Sequence, residues 1–374
     1  MSASVTKCIG ILTAGGDCPG LNAAIRGIGK AALGTYGIQV VGIASGYQGL
    51  INNQTRLLTS DDFSGILTAG GTILGSSREK PFGKGDGDAL ADEKPQLILD
   101  TYRKLHMDCL VCLGGNGTQT TAYKLTELGI NCIGLPKTID NDLAETDVSF
   151  GFHSAVDIAT EAIDRLHTTA HSHNRIMVVE IMGHKAGWLA LYSGVAGGGD
   201  VILIPEIAYD PEVIAEHLIN RARRGKQFSI VVVAEGAKSV EEAKRREAEK
   251  KARKKGKAVK EQANGAAPSA GYKVAKEIEE LTKMETRVTV LGYLQRGGIP
   301  SPFDRLMATR FGTEAVHLLA KGRYNRMVCF QEGEITSVPL KKVAGRTKHV
   351  PQDHELIRCA RLVETCFGDQ CPGE

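Results

Sequence analysis

The sequence predicts an α/β protein of two doubly wound, Rossmann-like domains whose largely parallel sheets face one cleft. Three observations carry that expectation. Short apolar runs repeatedly end in a glycine-rich or acidic turn and are followed by an amphipathic helical pattern, the rhythm of parallel strands joined by crossover helices. The rhythm occurs in two series, separated by a helical pattern over residues 154–170. The length of 374 residues suits two domains at about 150 residues each, or one large α/β unit.

In the first series, residues 8–14 read as a strand, Gly15-Gly16-Asp17-Cys18-Pro19-Gly20 as its turn and 21–33 as its helix. Strands follow at 39–44, at 108–113 before the turn Gly114-Gly115-Asn116-Gly117-Thr118, and at 131–135 before Pro136-Lys137-Thr138-Ile139-Asp140-Asn141-Asp142. The second series places strands at 175–181, 201–204, 229–234 and 286–292. They end in Met182-Gly183-His184, Pro205-Glu206, Glu235-Gly236 and Gln295-Arg296-Gly297-Gly298. Open parallel sheets bind ligands beyond the carboxyl ends of their strands, so these turns are where chemistry is expected. The end of the chain from Cys366 onward reads as a mobile tail.

Composition narrows the class. With 42% hydrophobic and 24% charged residues the chain is neither disordered nor fibrous. Its longest apolar runs, at 201–204 and 230–234, fall far short of the roughly 20 residues that span a bilayer. Neither a signal peptide nor a membrane partner is expected. Nine cysteines, an odd number set largely in apolar runs, suggest buried thiols in a reducing, cytoplasmic setting. Cys109 and Cys112 form a CxxC inside a strand, which turns them to opposite faces, and no second pair completes a zinc site. The net charge of +3 is local: residues 241–261 carry ten Lys and Arg against five Glu. The rest of the chain is slightly acidic, and no nucleic-acid partner is expected. The charged run reads as a solvated helix or insertion at 239–270.

The two glycine turns let phosphate oxygens approach backbone N–H groups at a helix N-terminus. Neither is a P-loop, and neither fits the GxGxxG fingerprint. The segment from Pro136 to Asp142 sets Asp140 and Asp142 beside Thr138 and Lys137. One carboxylate there can accept a proton from a hydroxyl while the other, or a metal it binds, handles phosphate charge. The competing structural reading is a helix-capping Asp beside a turn-forming Asn-Asp pair. Arg78, Arg175, Arg287 and Arg296 at strand ends are candidates to grip a phosphate with two N–H groups at once.

Together these residues resemble the phosphofructokinase family from about residue 8 to the low 320s. The matching stretches are GGDCPGLNAAIRG from Gly15, GGTILGSSR from Gly70, GGNGT from Gly114, PKTIDND from Pro136, MGHKAGW from Met182, IPE from Ile204 and ETRVTVLGYLQRGG from Glu285. The resemblance implies phosphoryl transfer to the 1-hydroxyl of fructose 6-phosphate, with Mg2+ as cofactor and ATP or pyrophosphate as donor. It implies a donor domain at 1–151 and 295–345, and a fructose 6-phosphate domain at 152–294 and 346–374. By position, Asp140 is the general base, with Thr138 and Lys137 beside it. Gly15, Arg78, Gly117 and Thr118 match the donor side, and Asn116 the metal position. Asp142, Met182, Gly183, Glu235, Tyr293 and Arg296 match substrate contacts. Arg175 and Arg287 resemble arginines that reach the sugar phosphate from a neighbouring subunit, so a homotetramer or homodimer is implied. Arg26, Asp200 and Lys226 resemble part of an effector site, which Lys30 and the surroundings of Arg56 leave incomplete.

Three departures stand out. Asn116 replaces the usual aspartate at the metal, His184 replaces an arginine, and the insertion at 239–270 is absent from compact bacterial members. Gly117 speaks for ATP, because a carboxylate there would repel the α-phosphate, whereas Lys137 is usual in pyrophosphate users and also occurs in an ATP-using branch. NAD kinases and diacylglycerol kinases share a similar glycine turn but lack counterparts of Pro136 to Asp142 and of Glu285 to Gly298. A catalytically silent regulatory subunit would rest on Asn116 and His184 alone, against an intact Asp140 and its arginines.

Overall fold

The structure, a computed structural model, describes residues 7–83, 93–254 and 269–370. Its strands in chain order are β1 (Cys8–Thr13), β2 (Gln39–Ile43), β3 (Thr55–Leu58), β4 (Cys109–Gly114), β5 (Cys132–Pro136), β6 (Ile176–Ile181), β7 (Val201–Leu203), β8 (Ser229–Ala234), β9 (Thr286–Val290), β10 (Arg326–Gln331) and β11 (Glu334–Pro339). They belong to two compact units, Met1–Ala155 with Arg296–Lys348, and Val156–Gln295 with His349–Glu374.

The first unit holds a seven-stranded sheet in the order β11-β10-β5-β4-β1-β2-β3. Its five central strands run parallel, and β3 and β11 are antiparallel edges. All of β4 is buried, because crossover helices cover both faces of a parallel sheet and favour a continuous apolar run over alternation. Each fully buried Leu or Val contributes about 1.5–3 kcal/mol. The chain leaves β1 for β2 on one side and returns as β4 on the other, so the strand order reverses at β1. There Thr13 lies opposite Leu113, and the Ala14 N–H donates to the Leu113 carbonyl at 3.0 Å. The two glycine turns therefore leave the sheet side by side, at the point where such sheets bind ligands.

One buried amide fastens those strand ends. Gln119, fully buried on the helix Asn116–Glu127, donates from Nε2 to the carbonyls of Gly114 at 2.9 Å and Leu135 at 3.0 Å. Gln119→Leu keeps the volume and removes the donor, so it is expected to cost about 1–3 kcal/mol. A fall in the urea midpoint at unchanged slope would show this; an unchanged midpoint would mean that those carbonyls do not depend on Gln119.

The second unit holds a four-stranded, wholly parallel sheet in the order β7-β8-β6-β9. Every residue of β6 and β8 is buried, so this sheet too is covered on both faces. The expectation of a tail from Cys366 is corrected here. The Ile202 N–H donates to the Cys366 carbonyl at 2.9 Å, and the Cys366 N–H to the Asp200 carbonyl at 3.0 Å. Cys366 and Phe367 thus bury themselves against the edge of β7, an apolar pair satisfying an otherwise open strand; residues 371–374 lie outside the described ones. Of the charged insertion, Val240–Lys254 is a helix carrying i,i+4 pairs such as Lys251 with Glu247, while 255–268 lie outside the described residues. Among the described residues, no helix is long and apolar enough to cross a membrane.

Candidate active site

In the first unit, Asn116, Gly117 and Thr118 open the helix after β4. The first-turn N–H groups of a helix have no intrahelical acceptor and point where an anion would sit. Thr118 is buried, held by Oγ1 to the Ala14 carbonyl at 3.3 Å, while its own carbonyl accepts the Tyr47 hydroxyl at 2.9 Å. Beside it, the Gly15 N–H donates to the Ser77 carbonyl at 2.9 Å. The next residue lies against the Arg296 guanidinium, so that a Cβ on Gly16 would fall 1.5 Å from a terminal nitrogen and Arg296 would have to move aside. The Gly16 carbonyl also accepts from Lys137 Nζ. Burial lowers the Lys137 pKa, with the Arg296 charge adding to that and Cys18, Asp140 and Asp17 opposing it. Arg78, three residues beyond Gly75, is exposed.

The segment after β5 is bent by Asn141, whose φ of 50° is left-handed, a conformation that Asn tolerates better than most side chains. Its side chain accepts from the Ser149 N–H at 3.0 Å and donates to the Asp147 carbonyl at 3.2 Å. The Asp140 N–H donates to Thr138 Oγ1 at 3.1 Å, and Asp140 itself is half-buried. Asn116 Nδ2 donates to Asp142 Oδ2 at 2.8 Å and to the Asp142 carbonyl at 3.2 Å. This leaves Asn116 Oδ1 buried with no hydrogen-bond partner. An orphaned acceptor at a glycine turn and helix N-terminus fits a cation or its bound water. Among the described residues no group of three or more His, Cys, Asp or Glu could hold a metal. The residues present therefore suit a magnesium ion that takes most of its ligands from phosphate oxygens and water.

In the second unit, Met182, Gly183 and His184 follow β6, and Glu235 follows β8. Glu235 Oε1 accepts the N–H groups of His184 at 2.6 Å and Gly183 at 3.3 Å. Gly183 has φ 147°, and a Cβ there would lie 2.6 Å from the Ala186 carbonyl oxygen. Gln295, fully buried, accepts the Met182 N–H at 3.3 Å. Arg175 and Arg287 meet through one carboxylate. Arg175 Nε donates to Glu285 at 2.6 Å, and Arg287 Nη2 donates to the other oxygen of Glu285. Those arginines hold the Glu285 carboxyl below its usual pKa range, Arg175 most of all. Tyr293 is 73% exposed on the short turn Gly292–Arg296.

Of the effector candidates, Arg26 sits half-buried in the first unit and Lys226 is exposed in the second. The Asp200 carboxylate is already engaged, by Arg221 at 2.5 Å and by the Ile230 N–H at 2.9 Å. Residue-by-residue reading passed over Glu285, Gln295 and Glu206. Glu206 lies in the IPE stretch and accepts the Gly187 N–H at the start of the helix Trp188–Ala196. Glu285 carried a signal: it stands two residues before Arg287 on one strand face.

Residues 8–319 match the family profile described as PFK: Phosphofructokinase. Over 99% of its length the chain is 61% identical to a Spirochaeta thermophila protein named ATP-dependent 6-phosphofructokinase, all of which is covered. It is 51% identical over 96% of its length to the Bacteroides thetaiotaomicron protein named ATP-dependent 6-phosphofructokinase 3, 99% of which is covered. Among solved structures, phosphofructokinase from Pichia pastoris in the T-state matches with a TM-score of 0.76 at 29% identity over 91% of this chain, and this chain spans 35% of that longer one.

Proposed function

The chain belongs to the phosphofructokinase family, and from that premise we propose how its residues divide the reaction. It transfers the terminal phosphoryl group of ATP to the 1-hydroxyl of fructose 6-phosphate, a step of glycolysis that gives fructose 1,6-bisphosphate. The observation that carries the assignment of roles is the juxtaposition in the first unit of two glycine turns at the reversal of strand order with the Pro136 to Asp142 segment, which leaves the neighbouring strand β5 opposite Gly114.

On this reading the N–H groups at Gly117 and Thr118, with Arg78, hold donor phosphates, and Gly15, whose φ of 86° is left-handed, turns the chain beside them. Asp140 takes the proton of the attacking hydroxyl, and Thr138 orients the backbone that presents it. Lys137, beside Gly16, neutralises charge that builds on the transferring group, and Arg296, also beside Gly16, contacts the substrate. Asn116 would hold the magnesium ion through Oδ1 or a bound water, and the ion would supply charge neutralisation at the phosphates. By family resemblance Asp142 of the first unit, and Met182, Gly183 and Glu235 of the second, match sugar-contacting positions. Arg175 and Arg287 bind the sugar's phosphate, by family resemblance that of a neighbouring subunit, so the working enzyme is an oligomer. The buried thiols suit a cytoplasmic setting.

Arg287→Ala is expected to raise the KM for fructose 6-phosphate by about 10- to 100-fold, the worth of a charge-assisted hydrogen bond, with kcat nearly kept. A normal KM would remove Arg287 from the sugar-phosphate site. The reaction itself is tested by following fructose 1,6-bisphosphate formation with Mg2+ and either ATP or pyrophosphate as sole donor. Turnover with ATP alone is expected; turnover with pyrophosphate alone would make Lys137 a better guide to the donor than Gly117.

A further inference from the structure

The loop that carries Asp140 is held by a residue far along the chain. Between Asp140 and Asp147 two non-glycine residues are left-handed, Asn141 at φ 50° and Glu145 at φ 64°. Side chains disfavour that region, and it persists only where the surroundings enforce it. Three backbone carbonyls of this loop turn toward one lysine. Lys348 Nζ donates to the carbonyls of Thr146 at 2.8 Å and Asp147 at 2.9 Å. Its backbone N–H donates to the Asp142 carbonyl at 2.7 Å, the same oxygen that accepts from Asn116. Thr347 forms an antiparallel bridge with Leu143, and Arg346 pairs with Glu145 at 3.0 Å. The strap 346–348 therefore touches the loop on both sides of its second bend.

We propose that Lys348 is a positioning residue for phosphoryl transfer: it fixes the 140–147 loop so that Asp140 is presented in one geometry. This rests on reading Asp140 as the base. A lysine suits the task because an ammonium carries only donors and meets the carbonyls of Thr146 and Asp147 from one atom. Burial brings the Lys348 pKa down to about 8, while the carboxylates of Asp147 and Asp142 favour the charged form.

The test uses the full chain and two readouts. Steady-state kinetics with fructose 6-phosphate, ATP and Mg2+ should show Lys348→Met losing about 30-fold in kcat, somewhat less than the roughly 100-fold cost of a full 1 Å misplacement. Both KM values should stay within about twofold, and Lys348→Arg, which keeps the charge, should recover part of the rate. Amide hydrogen exchange should rise in peptides covering 139–148 and stay unchanged in β1 and β4. A Lys348→Met enzyme with full kcat, or with an unchanged exchange pattern, would overturn the role of Lys348. So would a uniform rise in exchange across both sheets, which would make the residue a fold determinant; Lys348→Gln repeats the measurement if the methionine variant does not accumulate. Absence of turnover in the unaltered chain would instead overturn the reading of Asp140, while local exchange would still decide whether Lys348 fixes the loop.

Discussion

Asp140→Ser is expected to lower kcat by about 10^3-fold, within the range of a lost general base, while both KM values stay within about threefold. The argument starts from the backbone. The Asp140 N–H is tied to Thr138 Oγ1 and the bend at Asn141 is tied to Ser149 and Asp147, so a serine at 140 leaves these bonds in place. The carboxylate alone is removed, and with it the proposed proton acceptor for the sugar hydroxyl. Loss of an interaction made only in the transition state lowers kcat and kcat/KM together. An unchanged rate in a correctly folded variant would remove the base assignment. A large rise in the KM for fructose 6-phosphate at full kcat would make Asp140 a binding residue.

Gly117→Asp is expected to cut kcat/KM for ATP by at least about 100-fold and to leave the melting temperature nearly unchanged. A Cβ on Gly117 would meet nothing within 4 Å, and the residue is exposed, so the added side chain disturbs no packing. It does place a carboxylate on the first turn of the helix Asn116–Glu127, where the donor's phosphates are proposed to bind. Two unit charges 4 Å apart repel by about 4 kcal/mol at an effective dielectric of 20, and salt reduces but does not abolish this at close range. Pyrophosphate lacks the α-phosphate and the nucleoside, so any activity with it should suffer less. Equal use of ATP by the variant would show that the donor phosphates do not lie over this turn.

The sequence disclosed the central strands because each is an apolar run closed by a glycine or acidic turn, and parallel strands covered on both faces need such runs. It did not disclose β3, whose middle residues Arg56 and Leu57 are exposed, nor the hairpin of β10 and β11. That hairpin had a signal in its two-residue turn, Glu332 and Gly333, both with positive φ, as tight hairpins demand. The pairing of Cys366 has no local signature, because its partner is an edge strand more than 160 residues earlier in the chain. The site divides in the same way. Thr138, Asp140 and Asp142 share one short motif and could be read together, and so could Glu285 with Arg287. The bond from Arg175 to Glu285 spans 110 residues, and that from Lys348 to Thr146 spans 202; only folding brings such pairs into reach.

The threading of the first unit also has a consequence on the ribosome. Its sheet is completed when β10 pairs with β5 and Asn325 accepts the Cys132 N–H, a separation of 193 residues. At synthesis rates of about 5–20 residues per second the nascent chain carries β5 with an open flank for roughly 10–40 s, while the residues that build the other sheet are still being made. A bare parallel edge of that kind invites pairing with a second nascent chain. Slowed translation between residues 136 and 326 should therefore lower the soluble yield more than the same delay placed after residue 340.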